Sequence, residues 1–235
     1  MYDIQIHAKI FIGSQREEFN LIFDSGSAWV WVGSENCSNC ARGQNKFSHS
    51  KSLSYKQRAQ YLSTLKYGRG QVWGYDSTDQ VCLNKESVIG NGCMADYLFK
   101  TVIKQKDLAG LGSSGIIGLA PSQGWEDAQM FVPSLFKSGA IKKNVFAMFI
   151  DQNEGSSTMQ IGGYDLKKYA RGPLRWHKIN SPHWWQLKFD DVRVGDFTFK
   201  PSTDDIIVDS GASLNILPTS DYNAIVNHFL ANKNC

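Results

Sequence analysis

Two aspartates lie in the same short sequence pattern, 185 residues apart. Asp24 lies in LIFDSGS (residues 21–27), and Asp209 lies in IIVDSGAS (residues 206–213). In both copies an apolar stretch runs into Asp-Ser-Gly, so we expect each carboxylate at the end of a buried strand, where an unpaired charge is costly. Two carboxylates that face each other can share a proton and act on water as acid and base.

A single Asp-Ser-Gly has a plainer interpretation, because these residue types favour turns. The apolar residues before each aspartate and the repetition at a domain-scale distance argue for more than a turn. The repeat predicts a duplicated lobe, with one carboxylate from each lobe at a shared seam. Such a pair cannot ionise easily at both sites, so we expect it to hold one proton over a wide pH range and to titrate as a unit.

The elements around these motifs are predicted to be mostly strands. Apolar runs separated by Gly, Asn and Asp turns indicate an all-β fold. The predicted strands are residues 4–12, 19–23, 29–32, 71–83, 97–103, 145–150, 158–161, 184–194 and 206–208. Two short helices are predicted, one over residues 133–138 closed by Gly139, and one over 221–231 with its N-cap in residues 219–221.

Length and composition are those of an ordinary globular protein. The chain has 235 residues, of which 42% are hydrophobic and 20% charged, enough for one large domain or two lobes. The net charge of +3 with scattered Lys and Arg argues against nucleic-acid binding. The longest apolar runs, such as residues 145–150, are too short for a membrane span, and residues 2–12 alternate like a strand rather than a signal peptide.

The chain has five cysteines, which leave more than one chemistry open. Two local disulfides, Cys37–Cys40 and Cys82–Cys93, would fit an oxidising compartment. The Cys-x-x-Cys spacing also suits zinc or redox chemistry, but a zinc site needs about four ligands and no second suitably spaced Cys/His pair is present. Cys235 is left over, which a partner further along a longer chain would explain.

Several further segments accompany the two Asp-Ser-Gly motifs in a fixed order. They are YDIQIHAKIFIG (2–13), YGRGQVWG (67–74), GIIGLA (115–120), IGG (161–163) and WWQ (184–186). Together with FDSGSAWVWV (23–32) and VDSGAS (208–213), this order resembles the pepsin-like aspartic proteases over essentially the whole chain.

The resemblance implies a fold, an activity and a location. The fold would be all-β and bilobal with a few short helices, with an N-terminal lobe in residues 1–160 and a partial C-terminal lobe in residues 161–235. The activity would be that of an aspartic endopeptidase, which hydrolyses polypeptides at bonds flanked by large apolar residues without a cofactor or metal. The protein would act as a monomer, secreted or in an acidic compartment like the lysosome or vacuole.

The resemblance also implies roles for residues around the catalytic Asp24 and Asp209. The implied supporting residues are Ser25, Gly26, Ser27, Trp31, Ser210 and Gly211. The glycines would let the backbone approach the carboxylates closely. The serines next to the aspartates would hydrogen-bond across the seam, although a local turn hydrogen bond is the alternative. Ser27 would bond Asp24, whereas its counterpart Ala212 has no hydroxyl, so we expect the pair to titrate higher than in an Ala212→Thr variant.

A flap hairpin is implied around Tyr67 and Gly68. It would close over a bound peptide, and the Tyr67 phenol would hydrogen-bond to the Trp31 indole. The alternative is a half-buried strand tyrosine. Arg69 at the tip would favour acidic substrates.

The second half of the pattern is short. Only 26 residues follow Asp209, whereas in the first half the segment beginning at Gly115 comes 91 residues after Asp24. By internal symmetry, roughly 100 residues of the second lobe are expected to be absent, which would expose apolar surface and leave Asp209 poorly supported. The chain could then be paired with the missing C-terminal segment, be a peptide-binding protein that does not cut, or be an inactive fragment. A retroviral-style homodimer is not favoured, because both motifs are in one chain.

Overall fold

The structure is a computed structural model that describes residues 5–40, 44–108, 110–121, 127–151, 153 and 155–230. Cys235, for which the sequence suggested a distant partner, lies outside the described residues. The strands are β1 (His7–Ile12), β2 (Glu17–Asp24), β3 (Val30–Gly33), β4 (Lys56–Gln57), β5 (Ser63–Lys66), β6 (Gln71–Cys82), β7 (Val88–Ile89), β8 (Gly92–Lys106), β9 (Gly115–Gly118), β10 (Phe146–Phe149), β11 (Thr158–Ile161), β12 (Gln186–Lys188), β13 (Val192–Val194), β14 (Phe197–Phe199) and β15 (Asp205–Ile207). The helices are α1 (Phe131–Lys137), α2 (Leu166–Tyr169) and α3 (Thr219–Leu230), with a 3-10 turn at His49–Lys51. The predicted all-β class with a few short helices is confirmed.

Strands β1 to β9 form one sheet, which places Asp24 in its interior. The order is β4-β6-β1-β2-β9-β3-β8-β7, with β5 on β6, and the pairing of β6 with β8 closes the sheet on itself. Strand β2 is flanked by β1 on one side and by the parallel β9 on the other, with Asp24 opposite Gly118. Asp24 therefore lies at the end of a strand that has neighbours on both sides, and it is buried.

The hydrophobic core belongs to the first part of the chain. Every buried apolar side chain of the described residues lies between Ile10 and Ala140. Helix α1 covers this core with Phe131, Val132 and Leu135. The predicted helix is confirmed but begins two residues earlier, because Phe131 and Val132 pack into the core. It ends as predicted before Gly139, whose φ of +77° is the left-handed conformation that favours glycine.

Later elements are smaller and more exposed. The β10–β11 hairpin packs on the core through partly buried side chains, but after Ala140 the only buried residue in the described part of the chain is Asp221. The prediction of a buried strand before Asp209 is wrong: Ile206 and Ile207 are each 45% exposed and Val208 is 55% exposed. In the part of the chain that the structure describes, strand β15 pairs with β12 alone, whereas β2 has neighbours on both sides.

Three local features differ from the sequence predictions. The strand predicted over residues 184–194 is divided into β12 and β13 by a turn that contains Asp190 and Asp191, both turn-favouring residues. Helix α3 begins at Thr219, so Asp221 is inside the first turn and accepts hydrogen bonds from Ser202 instead of capping the helix. Helix α2 was not predicted, although Asp165 supplies its N-cap by accepting from the Lys168 amide.

Both local disulfides predicted from the sequence are formed. Cys37 is bonded to Cys40, and Cys82 is bonded to Cys93. The second bond joins directly opposed residues of β6 and β8, the pair that closes the sheet. None of the helices in the described ranges is both long enough and apolar enough to cross a membrane.

Candidate active site

Strand β9 supports the loop that follows Asp24. Residues 25–29, called here the catalytic loop, cross directly over β9: the Leu119 amide donates to the Asp24 carbonyl at 2.7 Å, and the Ala120 amide donates to the Ser27 carbonyl at 2.9 Å. A Cβ at Gly118 would overlap the backbone of Ala28. Glycine is therefore required where β9 passes behind the loop, and main-chain hydrogen bonds fix the backbone on which the Asp24 side chain is carried.

The carboxylates of Asp24 and Asp209 face each other. The Gly26 amide donates to Asp24 Oδ1 at 2.9 Å, and the Gly211 amide donates to Asp209 Oδ1 at 2.8 Å. A Cβ on Gly26 would overlap the Asp209 carboxylate, and a Cβ on Gly211 would overlap that of Asp24. Each glycine thus lies against the opposite carboxylate, which leaves no room for a side chain.

The serines beside the aspartates join the two motifs by reciprocal hydrogen bonds. The Ser25 amide donates to Ser210 Oγ at 3.0 Å, and the Ser210 amide donates to Ser25 Oγ at 2.8 Å. Ser25 Oγ then donates to the Val208 carbonyl at 2.9 Å, and Ser210 Oγ donates to the Phe23 carbonyl at 2.7 Å. These bonds cross between the motifs rather than close local turns. They define the seam, residues 23–26 against residues 208–211.

Burial shifts the ionisation of Asp24. Loss of hydration raises the pKa of Asp24 to about 6, the Ser27 hydroxyl and the Gly26 amide oppose the rise by donating hydrogen bonds, and the charge of Asp209 adds to it. Because Asp24 is almost fully buried while Asp209 is exposed, the two matching motifs hold their carboxylates in different surroundings.

The flap hairpin consists of β5, residues 67–70 and β6. Its turn is closed by a hydrogen bond from the Tyr67 amide to the Gly70 carbonyl at 3.0 Å, and Gly70 has a φ of +84°. Gly68 and Arg69 are exposed at the tip. The chain therefore forms a hairpin around Tyr67, and its closure over a bound peptide stays a prediction.

Tyr67 connects the flap hairpin to Asp24. Its phenol oxygen accepts from the Trp31 indole at 2.7 Å, the bond expected from the resemblance. Burial and the nearby charge of Asp24 hold the pKa of Tyr67 well above its usual value, so the phenol stays neutral. It also interacts with the Ser27 hydroxyl, which in turn donates to Asp24 Oδ2. A polar chain thus runs from Trp31 through Tyr67 and Ser27 to the carboxylate.

Three contacts near the site were not predicted from the sequence. The Trp185 indole donates to the Leu119 carbonyl at 2.7 Å, which ties the segment before β12 to the end of β9. The Trp29 indole donates to Asp127 at 3.3 Å. Lys100 is buried under the flap hairpin. Only Lys100 had a sequence signal, since it is the single charge within the apolar run 98–103.

The arrangement suits acid–base chemistry on water. A buried carboxyl with a raised pKa touches a second carboxylate, so one proton can be shared between them near pH 6 and below. Of the residues predicted for the site, the two aspartates with their neighbouring serines and glycines lie at the seam, and Tyr67 and Gly68 lie in the flap hairpin. Ser27 and Trp31 lie between these two groups, since Ser27 donates to Asp24 and Trp31 donates to Tyr67. Of the two disulfides, Cys82–Cys93 joins β6 to β8, and Cys37–Cys40 lies in the loop after β3.

Comparison with known proteins gives relatives along nearly the whole chain. A family model described as eukaryotic aspartyl protease matches residues 5–235. Pepsin II-1 of Oryctolagus cuniculus is 29% identical over 99% of this chain and 59% of its own length. Cathepsin D of Bos taurus is 29% identical over 93% of this chain and 59% of its length. Pregnancy-associated glycoprotein 2 of Bos taurus is 31% identical over 89% of this chain and 55% of its own length. The chain therefore spans between 55% and 59% of the length of these relatives.

Proposed function

Because this chain belongs to the eukaryotic aspartyl protease family, we propose that it is an aspartic-type endopeptidase in which Asp24 and Asp209 activate one water molecule. The observation that carries the proposal is the seam, where reciprocal serine hydrogen bonds bring the two carboxylates together. This contact is the geometry that the chemistry needs, and residues 185 positions apart build it.

The reaction follows from one proton shared by the two carboxyls. The ionised member removes a proton from the water as the water oxygen attacks the scissile carbonyl carbon. The protonated member donates its proton to the carbonyl oxygen, giving a tetrahedral diol without a covalent bond to the enzyme. The carboxyl that took a proton from the water then donates a proton to the leaving amine nitrogen as the C–N bond breaks. The ionised carboxyl removes a proton from one diol hydroxyl, whose oxygen becomes the carbonyl oxygen of the new carboxylic acid. Tyr67 covers the reacting groups and keeps water out.

We infer that the substrates are extended polypeptides with large apolar side chains beside the cleaved bond. The apolar cluster around the flap hairpin supports this inference: Tyr67 and Leu111 are partly buried and pack against the buried Ile22 and Val72. An extended peptide would present alternate side chains to such a surface. Arg69 at the open tip would favour an acidic residue further along the peptide.

The organisation we propose has an N-terminal lobe in residues 1–160 and a partial C-terminal lobe in residues 161–235. The exposure of Ile206, Ile207 and Val208 supports a further polypeptide segment that packs on them, as β9 packs on β2. The two disulfides support a secreted protein or one in an acidic, lysosome-like compartment. Because one chain carries both catalytic motifs, one copy can form the active site, and we infer that the protein acts as a monomer.

A second candidate function is a peptide-binding protein on the same scaffold that does not cut. The exposure of Asp209 favours it, because a carboxylate surrounded by water is held less firmly for catalysis than one supported by packed neighbours. The cleft would then hold an extended peptide without hydrolysing it.

Cleavage of a quenched, apolar-centred peptide from about pH 3 to about pH 7 separates the two functions. The chain is compared with Asp24→Asn, with and without a statine-type mimic of the tetrahedral intermediate. Acid-dependent cleavage that both the mimic and the substitution abolish supports the endopeptidase. Binding of the mimic without cleavage at any pH, by protein shown to be folded, supports the peptide-binding protein instead.

A further inference from the structure

One buried cation has no part in the chemistry described above. Lys100 lies in β8 with its side chain 1% exposed, and it is the only Lys or Arg among the buried residues of the described ranges. Removing an ammonium group from water is unfavourable unless charge partners and hydrogen-bond acceptors replace the lost hydration. The surroundings of Lys100 must therefore supply them.

Three side chains surround the Lys100 ammonium. Asp76 forms an ion pair with it, and Ser63 accepts a hydrogen bond from it. On another side Nζ lies 4.3 Å from the ring centroid of Trp29, where the negative face of the indole attracts the charge. Ser63 Oγ also donates to Asp76 Oδ1 at 3.2 Å, so the cation and its two polar partners form one closed set.

These partners belong to two different parts of the site. Ser63 and Asp76 lie on β5 and β6, the two strands of the flap hairpin, whereas Trp29 ends the catalytic loop. Trp29 is fixed in turn, because its carbonyl accepts from the Gly118 amide of β9 at 3.1 Å. Lys100 is thus bonded to the flap hairpin and packed on the loop that follows Asp24.

Lys100 makes these contacts beside an irregularity in the pairing of β6 with β8. The register between β6 and β8 shifts between Trp73 and Gly74, an irregularity of the kind that bends a strand. A Cβ at Gly74 would come within 2.8 Å of Lys100 Cγ. The lysine stem therefore occupies the space that glycine leaves free at the bend.

We propose that Lys100 is a positioning residue that fixes the angle between the flap hairpin and the catalytic loop and so places Tyr67 over Asp24. The proposal rests on the proposed function, because the peptide oriented under the flap hairpin is the proposed substrate. A cation on a long, flexible stem suits this place, since it binds a carboxylate on one side and an indole face on the other.

Hydrogen exchange tests the proposal without requiring activity. Lys100→Met is compared with Lys106→Met, the same substitution in the same strand at an exposed position. In Lys100→Met we expect the amides of residues 63–73 to exchange about tenfold faster, while those of β1 and β2 are unchanged. A uniform acceleration over the whole sheet, or no difference from Lys106→Met, would overturn the proposal.

Two further variants cover the case in which Lys100→Met does not fold. Ser63→Ala removes one acceptor but keeps the ion pair, and we expect a smaller acceleration confined to the same amides. Lys100→Arg keeps the charge and should restore most of the protection. If Ser63→Ala leaves exchange in residues 63–73 unchanged, Lys100 does not position the flap hairpin through Ser63 and the proposal is wrong.

Kinetics add a readout that a purely structural ion pair would not change. Lys100→Met should lower kcat/KM by about 10-fold to 100-fold, the cost of misplacing groups by about 1 Å, with the pH profile unchanged. Lys100→Met should lower kcat/KM by a smaller factor in a Tyr67→Phe background, because Lys100 and Tyr67 both act through the flap hairpin. An equal loss of kcat/KM in both backgrounds contradicts the proposal. If the unsubstituted chain cleaves no peptide, the proposed function fails while the exchange result still decides the role of Lys100.

Discussion

At the scale of single residues, Asp24 and Asp209 lie in matching motifs but in different surroundings. Asp24 is buried at the end of β2 and receives hydrogen bonds from Gly26 and Ser27. Asp209 is exposed and receives one from Gly211. The burial of Asp24 affects its ionisation, because loss of hydration is the main cause that raises the pKa of Asp24 to about 6.

Asp24→Asn should stabilise the protein at neutral pH. Between about pH 4 and pH 6 the folded protein keeps a proton on Asp24 that the unfolded chain releases, so the free energy of unfolding falls as pH rises through this window. The rise from 3.8 to about 6 corresponds to about 3 kcal/mol. Urea unfolding at about pH 3.5 and about pH 7 measures the effect. Between these pH values, the free energy of unfolding of Asp24→Asn should rise relative to that of the unsubstituted chain by up to this amount.

The control for this prediction is Asp191→Asn, which removes an exposed carboxylate. It should show no comparable pH-dependent gain, because little desolvation is relieved there. An equal gain in both variants would mean that overall charge, rather than the burial of Asp24, governs the pH dependence of stability.

Ser27→Ala should move the alkaline limb of the pH–rate profile to higher pH. The Ser27 hydroxyl opposes the rise in the pKa of Asp24 by donating to the carboxylate, and its removal disfavours the ionised form. Ser27→Thr keeps the hydroxyl and serves as the matched control. Ala212→Thr adds a hydroxyl at the corresponding place beside Asp209 and should move the limb to lower pH. The measurement is kcat/KM against pH, and an unchanged limb in Ser27→Ala counts against this account.

At the scale of elements, the flap hairpin depends on one conformation in its turn. Gly70 has a φ of +84°, and a Cβ there would meet the Lys106 carbonyl and Leu108. No atom of the described residues lies within 4 Å of a Cβ built at Gly68, two residues earlier in the same turn. The two glycines therefore form a matched pair of sites.

Gly70→Ala should lower both stability and kcat/KM. A residue with a side chain held at this φ costs about 1–3 kcal/mol, and the strained turn would displace Tyr67 from the Trp31 indole. Gly68→Ala should change the free energy of unfolding by less than about 0.5 kcal/mol. Urea unfolding and peptide kinetics measure the two effects. Equal behaviour of the two variants would show that the turn tolerates a side chain at Gly70.

At the scale of the whole molecule, the two ends of the chain differ in how they are held. The core lies between residues 10 and 140, whereas Asp221 is the only buried residue between 141 and 230 in the described part of the chain. The later part is held to the first by the seam, by the Trp185 indole on Leu119, and by packing of the β10–β11 hairpin. Its own packing contributes less, so it should open at a lower free energy.

Limited proteolysis with trypsin checks this expectation. The first cuts should fall in the exposed segment 163–230, for example after Lys167, Lys178 or Arg193, and should leave a resistant fragment that contains residues 5–140. A polypeptide that packs on residues 206–208 should protect the later segment. Simultaneous loss of both parts would contradict the unequal packing described here.

The sequence by itself determined features that act over short distances along the chain. Asp-Ser-Gly preceded by apolar residues marked both carboxylates, Gly139 marked the end of α1, and the cysteine spacing marked both disulfides. These signals depend on the conformation of a few neighbouring residues, which side-chain type and backbone preference largely fix. The resemblance of the motif order to the pepsin-like proteases added the flap hairpin and the pairing of the two serines.

Only the tertiary structure decided what depends on distant neighbours. Residues 206–208 are as apolar as the residues before Asp24, yet they are exposed, because β15 has one neighbouring strand where β2 has two. The sequence shows Lys100 only as a charged residue. The fold buries it, because Asp76, Ser63 and Trp29 come together around its ammonium group. Burial, and the pKa of Asp24 with it, is set by strands brought together from far apart in the chain, which no local pattern encodes.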